Sequence, residues 1–512
     1  MESIADLFRC DESRASLDDR TWNDLLLDDV FARLDRTESS VGQQSLYGRL
    51  RRAPVPRDLD AFDALVARLT GDVNLRERAQ VALARLRHSS GYYLHRLARP
   101  DALVRPWWHV VFPLWTAAVL MTLALGFVWH GFFVLAIIGL VINFVIRVVT
   151  SLRVGGEAVW FRQVGPLISI AESLLVCDES TTAAITGSLK ADLVALRRIG
   201  AVARWVSRGA DSGPPTDLAG LIIEYINIQL LMDLNALYFA SRELQSRAPH
   251  LLRVIKAVGE IDAAIAVASF RETAGGWIRP TVTTPNAPAV LADLRHPLID
   301  DAVPNSIALA PPHGVLITGS NMSGKSTFLR TVGVNAVLAQ TINTCLARTY
   351  EAPVYQVRTC IGRADDLMAG KSYYVVEVES VLSLVKASGR VEPHLFIFDE
   401  LFRGTNAIER IAAGEAVLRS LIDNGKPHVV LAATHDGELV ELLGEAYSVY
   451  HLGDSIGSNG LIFDYHLTPG PATTRNAITL LKLNGAPESL VAQALSRAEE
   501  LDRHRRAVVT SG

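Results

Sequence analysis

The stretch that decides the fold reads Gly319-Ser320-Asn321-Met322-Ser323-Gly324-Lys325-Ser326-Thr327. It has the pattern G-x-x-x-x-G-K-S, and it lies between the apolar run 315–318 and a helical sequence. A strand, a glycine-rich loop and a helix in this order form a P-loop, whose backbone N–H groups bind phosphates at the helix N-terminus. Lys325 is expected to neutralise the β and γ oxygens of ATP, and the Ser326 hydroxyl to reach Mg²⁺. The alternative is a glycine-rich turn with a solvated lysine.

A second part of the nucleotide site is predicted where another apolar run ends. Residues 395–398 lead directly into Asp399 and Glu400. A strand that carries two acids at its C-terminal edge places Asp399 to hold Mg²⁺ and Glu400 to polarise a water molecule against the γ-phosphate. An acid pair after a strand is often only part of a solvated loop. Because this pair follows a P-loop, the sequence favours a Walker B motif.

A histidine follows a third apolar run. Residues 429–433 end in Thr434 and His435, and ligands of open α/β sheets bind at this edge. A lone histidine is more often structural, but this position favours a γ-phosphate sensor or a water-positioning residue. Lys325, Glu400 and His435 are therefore the predicted catalytic residues of an ATPase that uses ATP and Mg²⁺.

The pattern of apolar residues divides the chain into helical and α/β regions. Over residues 290–485, short apolar runs typical of buried parallel strands alternate with helical patterns, which predicts an α/β P-loop ATPase domain. Residues 20–100 are rich in Leu, Ala and Arg at helical spacing, and residues 156–272 have the pattern of long helices. An all-α core over residues 1–105 and 151–289 is therefore predicted before the ATPase domain. Residues 486–512 predict a C-terminal helical element and tail.

An uncharged segment lies between the two helical regions. Residues 106–146 contain no Asp, Glu, Lys or Arg. As helices, residues 110–128 and 132–149 would each cover about 27–30 Å, the thickness of a hydrocarbon core. Arginines flank the segment but not its connection, so the positive-inside rule places both ends in the cytoplasm. Residues 106–150 therefore predict a transmembrane helical hairpin inserted in the all-α region.

This hairpin sets the predicted location of the protein. We expect a multi-pass protein of the cell (inner) membrane, with the N-terminus, the core and the ATPase domain on the cytoplasmic side. The alternative is a helical hairpin buried inside a large soluble assembly, with Asn143 and two histidines as satisfied core polar groups. The length of the uncharged run favours the membrane.

Composition adds limits rather than a function. With 512 residues, of which 49% are hydrophobic and 20% charged, the chain is too apolar to be disordered. The net charge of −4 gives no global attraction to nucleic acid or anionic lipid, so such binding would need a local patch. The four cysteines show no C-x-x-C spacing, which argues against a zinc site or a disulfide framework. The first thirty residues have no apolar signal-peptide region.

The P-loop also carries a family signature. Its order T-G-S-N-M-S-G-K-S-T resembles the P-loop of the MutS mismatch-repair ATPases, where Asn and Met hold the same places. Other segments resemble successive parts of that family's ATPase domain, namely 294–297, 365–367, 370–377, 399–405, 433–435 and 469–472. Residues 34–42 and 261–280 resemble, more weakly, the two ends of its helical core and lever domain. The resemblance extends from about residue 22 to residue 503.

The resemblance implies an architecture and partners. It implies a MutS/ABC-like parallel sheet and a homodimer that ATP closes, with residues 486–512 as a dimerisation element. In that dimer, Ser372 of each signature loop is expected to approach the partner subunit's γ-phosphate. The hairpin takes the place of the family's DNA-touching clamp in the chain order, so the levers are expected to end in the membrane.

The sequence departs from the family pattern at several positions. Tyr373 and Tyr374 replace a Thr and a Phe of the signature loop, Ser323 replaces a P-loop glycine, and Phe402 replaces the glycine before an arginine. Near Ala302, where the family places an aromatic residue against adenine, there is no aromatic residue. The mismatch-reading and connector domains expected before the core are also missing, so we do not expect this chain to read mismatches.

Two functions fit this pattern. The first is a membrane-anchored, dimeric MutS-like ATPase that still binds DNA, with candidate phosphate contacts at Arg49, Arg51, Arg52 and Arg87; an arginine-rich helical face is, however, more often simply solvated. The second is a membrane-anchored ATPase switch that acts on lipid or on a protein partner without DNA. The net charge and the missing mismatch module support the second.

Overall fold

The fold is described from a computed structural model of the chain. It describes residues 2–10, 17–52, 55–99, 110–153, 160–161, 163–177, 189–208, 218–232, 234–235, 238, 243–244, 246–320, 322–361, 373–423, 425–457, 460–472, 478, 481–482 and 485–509. The chain divides into two compact units, one formed by Met1–Arg14 with Leu34–Glu272 and the other by Ala15–Arg33 with Thr273–Gly512. The finer domain boundaries expected from the sequence stay predictions.

The first unit is helical in the residues described. Its α-helices are Glu2–Arg9, Ser40–Arg51, Pro56–Gly71, Val73–Leu83, Val111–Gly126, Phe132–Arg153, Val164–Cys177, Leu189–Arg208, Leu218–Leu230 and Ala248–Thr273, with 3₁₀ helices at Ala84–Leu86 and Ser89–Ala98. A buried carboxylate organises one helix start: Asp262 accepts hydrogen bonds from the Glu38 and Ser39 amides at 3.0 and 2.8 Å. Gly42 lies against Asp262 so closely that a Cβ there would be 2.1 Å from Asp262 Oδ2, which explains the glycine.

The transmembrane hairpin predicted for residues 106–150 is wrong. Within the described parts of the chain, no helix is long and apolar enough to cross a membrane. Val111–Gly126 has 16 residues, which at 1.5 Å per residue covers about 24 Å, less than a hydrocarbon core. Phe132–Arg153 is longer, but its uncharged part ends before Arg147. The prediction of a multi-pass inner-membrane protein with cytoplasmic domains, and of membrane association through two helices, fails with the hairpin.

Polar contacts tie these two helices to a third one. Asn143 is fully buried, and its Oδ1 accepts a hydrogen bond from Trp115 Nε1 at 2.7 Å. Its Nδ2 donates to the carbonyl oxygen of Gln229 at 2.5 Å, in the helix Leu218–Leu230. Hydropathy counts alone did not reveal these contacts, because they depend on which residues face one another.

The second unit contains two sheets among its described residues. Its strands are β1 Thr281–Val282, β2 Ala289–Leu294, β3 Asn305–Leu309, β4 Gly314–Thr318, β5 Thr349–Ala352, β6 Gln356–Cys360, β7 His394–Asp399, β8 Val429–Ala433, β9 Tyr447–Gly457 and β10 Gly460–Pro469. One sheet has the order β1-β5-β2-β3 and the other the order β10-β9-β4-β8-β7-β6. In the larger sheet β10 is antiparallel to β9 and the other neighbours are parallel. The sheet is therefore mixed, whereas the sequence predicted a parallel one.

Helices cover the sheets and complete the unit. They are Asp19–Asp24, Leu27–Leu34, Lys325–Ile342, Tyr373–Ala387, Ala407–Ile422, Gly437–Leu443 and Glu488–Val509, with a 3₁₀ helix at Gly444–Ala446. The strands β4 and β8 are buried at every position, as expected for the centre of a sheet with helices on both faces. Ile317 and Asp399 both pair with Ala433. The C-terminal ends of β4, β7 and β8 therefore meet at one edge.

Candidate functional site

The P-loop leaves the sheet at this edge. β4 runs into Gly319, and the helix Lys325–Ile342 begins directly after Gly324. Gly319, Met322 and Gly324 have φ angles of +145°, +76° and +98°, and the left-handed region favours glycine. A Cβ on Gly319 would lie 2.8 Å from Ser323 Oγ and 3.0 Å from the Leu452 carbonyl oxygen. The loop therefore needs this glycine for close packing.

Lys325 lies folded under the loop. Its Nζ donates hydrogen bonds to the carbonyl oxygens of Gly319 at 2.8 Å and Ser320 at 2.9 Å. The same atom is 3.9 Å from Glu400 Oε1. The lysine is buried, so its charge is poorly solvated and is available to an anion that enters the loop.

Ser326 and Asp399 form a pair with the character of a magnesium site. The Ser326 hydroxyl donates to Asp399 Oδ2 at 2.5 Å, and Asp399 Oδ1 is buried without a hydrogen bond to any described residue. Burial raises the pKa of Asp399, and the Ser326 hydrogen bond opposes that rise. Mg²⁺ is commonly held by one or two carboxylates together with substrate phosphates and water. A buried carboxylate oxygen with no donor in the described part of the chain, next to a hydroxyl, fits that ligand set.

Glu400 contacts an arginine and a histidine side chain. Its Oε2 contacts the Arg403 guanidinium, and it lies 3.1 Å from His435 Nδ1. Burial would raise the pKa of Glu400, but the His435 hydrogen bond and the Arg403 charge outweigh it and lower the pKa to about 2. Glu400 is therefore a carboxylate at neutral pH, suited to orienting a water molecule.

His435 lies at the end of β8, as the sequence predicts, and is about half exposed, at 47%. Its hydrogen bond to Glu400 raises its pKa, with burial acting the other way. The next residue, Asp436, accepts two hydrogen bonds from Arg410, at 2.9 and 2.7 Å. These contacts hold the segment after β8 against the helix Ala407–Ile422.

The predicted site residues that the structure describes lie together around the P-loop. They are Gly319, Ser320, Met322, Ser323, Gly324, Lys325, Ser326, Thr327, Asp399, Glu400 and His435. Asn321 and Ser372 lie outside the described residues. The roles given to all these residues stay predictions at this point.

A cavity of about 560 Å³ adjoins the P-loop. Its lining includes His296, Ala302, Asn305, Leu452 and Tyr465. This volume lies within the range of small-ligand pockets. His296 is buried there, and burial, followed by the charge of Arg330, lowers its pKa to about 4.

Sequence reasoning missed Tyr465 as a residue of this site. Its φ of +57° interrupts β10, where the pairing with β9 shifts between Phe463 and Leu467. The Asn305 side chain fixes this bulge, since Nδ2 donates to the Tyr465 carbonyl oxygen at 2.9 Å and Oδ1 accepts from the Leu467 amide at 2.7 Å. A Cβ on Gly324 would lie 3.1 Å from Tyr465 Cδ1. The alternation of a regular strand does not predict a ring over the P-loop, because a bulge redirects side chains.

Comparison with known proteins identifies one family in this unit. Residues 315–502 match the family described as MutS domain V. The chain is 33% identical over 270 residues to the DNA mismatch repair protein MutS of Lactobacillus delbrueckii subsp. bulgaricus, covering 51% of this chain and 31% of that protein. It is 32% identical over 271 residues to the protein of the same name from Thermus aquaticus, covering 52% of this chain and 32% of that protein.

A third relative shows the same pattern over a shorter segment. The DNA mismatch repair protein MutS of Thermus thermophilus is 34% identical over 204 residues, which is 39% of this chain and 24% of that protein. The chain thus matches about a third or less of the length of these relatives. The residues that match the family, 315–502, include the P-loop and the acids after β7.

Proposed function

We propose that this chain is a member of the MutS family that binds ATP with Mg²⁺ at the P-loop edge and hydrolyses the γ-phosphate bond. The observation that carries the proposal is the pair Ser326–Asp399, in which a buried carboxylate oxygen beside the P-loop accepts no hydrogen bond from the residues that the structure describes. Bound Mg²⁺ would supply charge neutralisation at the β and γ oxygens. Ser326 and Asp399 are the residues that would hold it.

The remaining residues of the edge have separate tasks in this proposal. Lys325 exchanges its hydrogen bonds to Gly319 and Ser320 for phosphate oxygens of ATP, which keeps the buried ammonium paired. Glu400 accepts a hydrogen bond from the attacking water and aligns it with the γ-phosphate. His435, which contacts Glu400, stabilises the ionised carboxylate.

The purine base has a place in the same cavity. The sequence has no aromatic residue near Ala302, but Tyr465 lines the same cavity as Ala302, with its ring beside Gly324. Phe463 stacks on Tyr465, with ring centroids 6.0 Å apart. We therefore assign Tyr465 as the aromatic surface against which the base packs, with Asn305 as the residue that holds the bulge.

The proposed ATPase is tested with a lysine pair. Lys325→Ala removes the buried ammonium, whereas Lys482→Ala removes an exposed lysine elsewhere in the second unit. We expect Lys325→Ala to weaken ATP binding at least ~100-fold, about 2.7 kcal/mol, and Lys482→Ala to bind as the wild type does. Equal ATP binding by both variants, measured by calorimetry with Mg²⁺ present, would contradict the site.

A homodimer that shares its active sites is the second part of the proposal. It rests on the similarity to the MutS family. Ser372→Ala and Lys325→Ala would each inactivate a site in a different way, so mixing the two proteins should give dimers with one intact site. Partial recovery of hydrolysis on mixing supports sharing; no recovery at any ratio contradicts it.

DNA binding is the third part, because the relatives are named as DNA mismatch repair proteins. Three of the four arginines considered as phosphate contacts have partners within the chain: Arg49 pairs with Glu260, Arg87 with Glu38, and Arg51 lies over the Tyr47 ring. We therefore place DNA contacts elsewhere on the chain. The test is binding of duplex DNA across a salt series: a steep loss with rising salt indicates phosphate contacts. No binding at low salt would leave the alternative, an ATPase switch acting on a protein partner.

A further inference from the structure

Glu377 is a buried carboxylate that the proposed ATPase chemistry does not use. It lies on the helix Tyr373–Ala387, in the second unit, and is 4% exposed. Its Oε1 accepts a hydrogen bond from the Phe402 amide at 2.6 Å. Its Oε2 is buried and makes no hydrogen bond with the described residues. Burying a carboxylate costs free energy, which its contacts in the structure or the site must offset.

The turn that Glu377 holds has an unusual backbone. Glu400 and Phe402 have φ angles of +53° and +58°, and each non-glycine residue in this region costs about 1 kcal/mol or more. Such a turn persists only when its surroundings fix it. The Glu400 amide donates to the Ala433 carbonyl oxygen at 2.9 Å, and Phe402 is fixed by Glu377. The turn is thus anchored on one side by β8 and on the other by Glu377.

The turn also sets the partner of the catalytic carboxylate. Arg403 follows Phe402 directly, and its guanidinium contacts Glu400 Oε2. Burial raises the pKa of Glu377, and the amides of Phe402 and Arg403 oppose that rise. Two contacts therefore link the helix Tyr373–Ala387 to Glu400. Glu377 of the helix binds the turn at Phe402, and Arg403 of the same turn contacts Glu400.

We propose that Glu377 is a positioning residue for Glu400: by binding the Phe402 amide it fixes the turn 400–403, and through Arg403 it sets the orientation of the Glu400 carboxylate toward the attacking water. This inference rests on the proposed ATPase function. Glu377 touches neither ATP nor the water in this arrangement, so its effect is on the rate of hydrolysis and not on ATP binding.

Two substitutions separate the hydrogen-bonding role of Glu377 from its charge. Glu377→Gln keeps an oxygen acceptor at the same distance along the side chain, so the Phe402 amide retains its partner. Glu377→Ala leaves that amide without a partner in a buried place and frees the turn. Glu379 lies two residues further along the same helix and is exposed, so Glu379→Ala is the matched control.

The experiment compares kcat, KM and the ATP dissociation constant of the three variants with those of the wild type. We expect Glu377→Ala to lower kcat at least ~10-fold, because misplacing a catalytic group by about 1 Å can cost ~100-fold. Its ATP dissociation constant should stay within about twofold of the wild-type value, since the P-loop is intact. Glu377→Gln should recover most of the rate, and Glu379→Ala should match the wild type.

Three results would overturn the inference. They are an unchanged kcat in Glu377→Ala, a parallel loss of ATP binding and kcat, and a Glu377→Gln rate as low as that of Glu377→Ala. If Glu377→Ala does not fold, Glu377→Asp replaces it with the same expectation, because it keeps the charge but withdraws the acceptor by one methylene. If the wild type hydrolyses ATP and Glu377→Ala hydrolyses it equally well, only this inference is contradicted. A wild type without hydrolysis contradicts the proposed function as well.

Discussion

Two buried carboxylates, one in each unit, differ in whether both of their oxygens accept hydrogen bonds. This difference distinguishes a structural role from a functional one. Asp262 in the helical unit accepts from two amides and from the Ser39 hydroxyl, so both of its oxygens are used. Asp399 in the second unit has one oxygen on Ser326 and one without a hydrogen bond to the described residues. The satisfied carboxylate holds a helix start, whereas the unsatisfied one beside the P-loop is the one that we propose holds Mg²⁺.

The comparison predicts the largest effect on stability at Asp262. Asp262→Ala leaves the Glu38 and Ser39 amides without their buried acceptor, and we expect the free energy of unfolding to fall by about 3 kcal/mol. Asp60, exposed on the helix Pro56–Gly71, provides the control, with an expected change below ~0.5 kcal/mol. Denaturant unfolding measures both. Similar small changes would show that Asp262 does not organise this helix start.

A substitution of Asp399 should instead impair ATP hydrolysis. Asp399→Asn keeps the size of the side chain but removes the charge that would hold Mg²⁺. We expect the Mg²⁺ concentration for half-maximal hydrolysis to rise ~100-fold, about 2.7 kcal/mol. A Mg²⁺ titration of activity measures this, and a curve identical to the wild type would exclude Asp399 as a ligand.

A smaller effect is expected for the aromatic wall of the cavity. Tyr465→Ala should weaken ATP binding about tenfold, since stacking of a base on an aromatic side chain contributes roughly 1–3 kcal/mol. Tyr465→Phe keeps the ring and should bind ATP as the wild type does. Calorimetry with both variants decides the point, and equal binding by the Ala variant would remove Tyr465 from the site.

The smallest predicted effect is a pH dependence that belongs to the satisfied carboxylate. Burial raises the pKa of Asp262 to about 6, against its hydrogen bonds to Ser39 and Glu38. The folded state therefore binds a proton at a higher pH than the unfolded state, so this contribution to stability grows as the pH falls from 7 to 5. We expect the wild type to gain about 1 kcal/mol over Asp262→Asn across that range. Unfolding curves at the two pH values that show no gain would contradict the raised pKa.

The sequence predicted which residues would meet at the P-loop edge, because parallel strands constrain where their ends lie. The P-loop, the acids after β7 and His435 each follow an apolar strand, and parallel strands in one sheet bring such ends together. Tyr465 was missed because its position depends on a left-handed bulge held by Asn305, which no local pattern encodes. Glu377 was missed as a functional residue because its partner is a backbone amide.

The uncharged segment of the helical unit shows the opposite case. Hydropathy predicted two membrane spans, but it counts apolar residues without the helix ends or the partners of polar groups. The first helix stops after 16 residues, and Asn143 bonds to Trp115 and to the Gln229 carbonyl. A property averaged along the chain was therefore a weaker guide than residues with specific spacing.

The most direct test of the account is a single-turnover measurement on Glu400→Gln. The variant keeps the shape of the side chain but loses the carboxylate that Arg403 and His435 hold in place. We predict ATP binding within about twofold of the wild type, and hydrolysis at least ~1,000-fold slower, about 4 kcal/mol in the barrier. Hydrolysis by Glu400→Gln at the wild-type rate would contradict the assignment of Glu400 and, with it, the proposed mechanism.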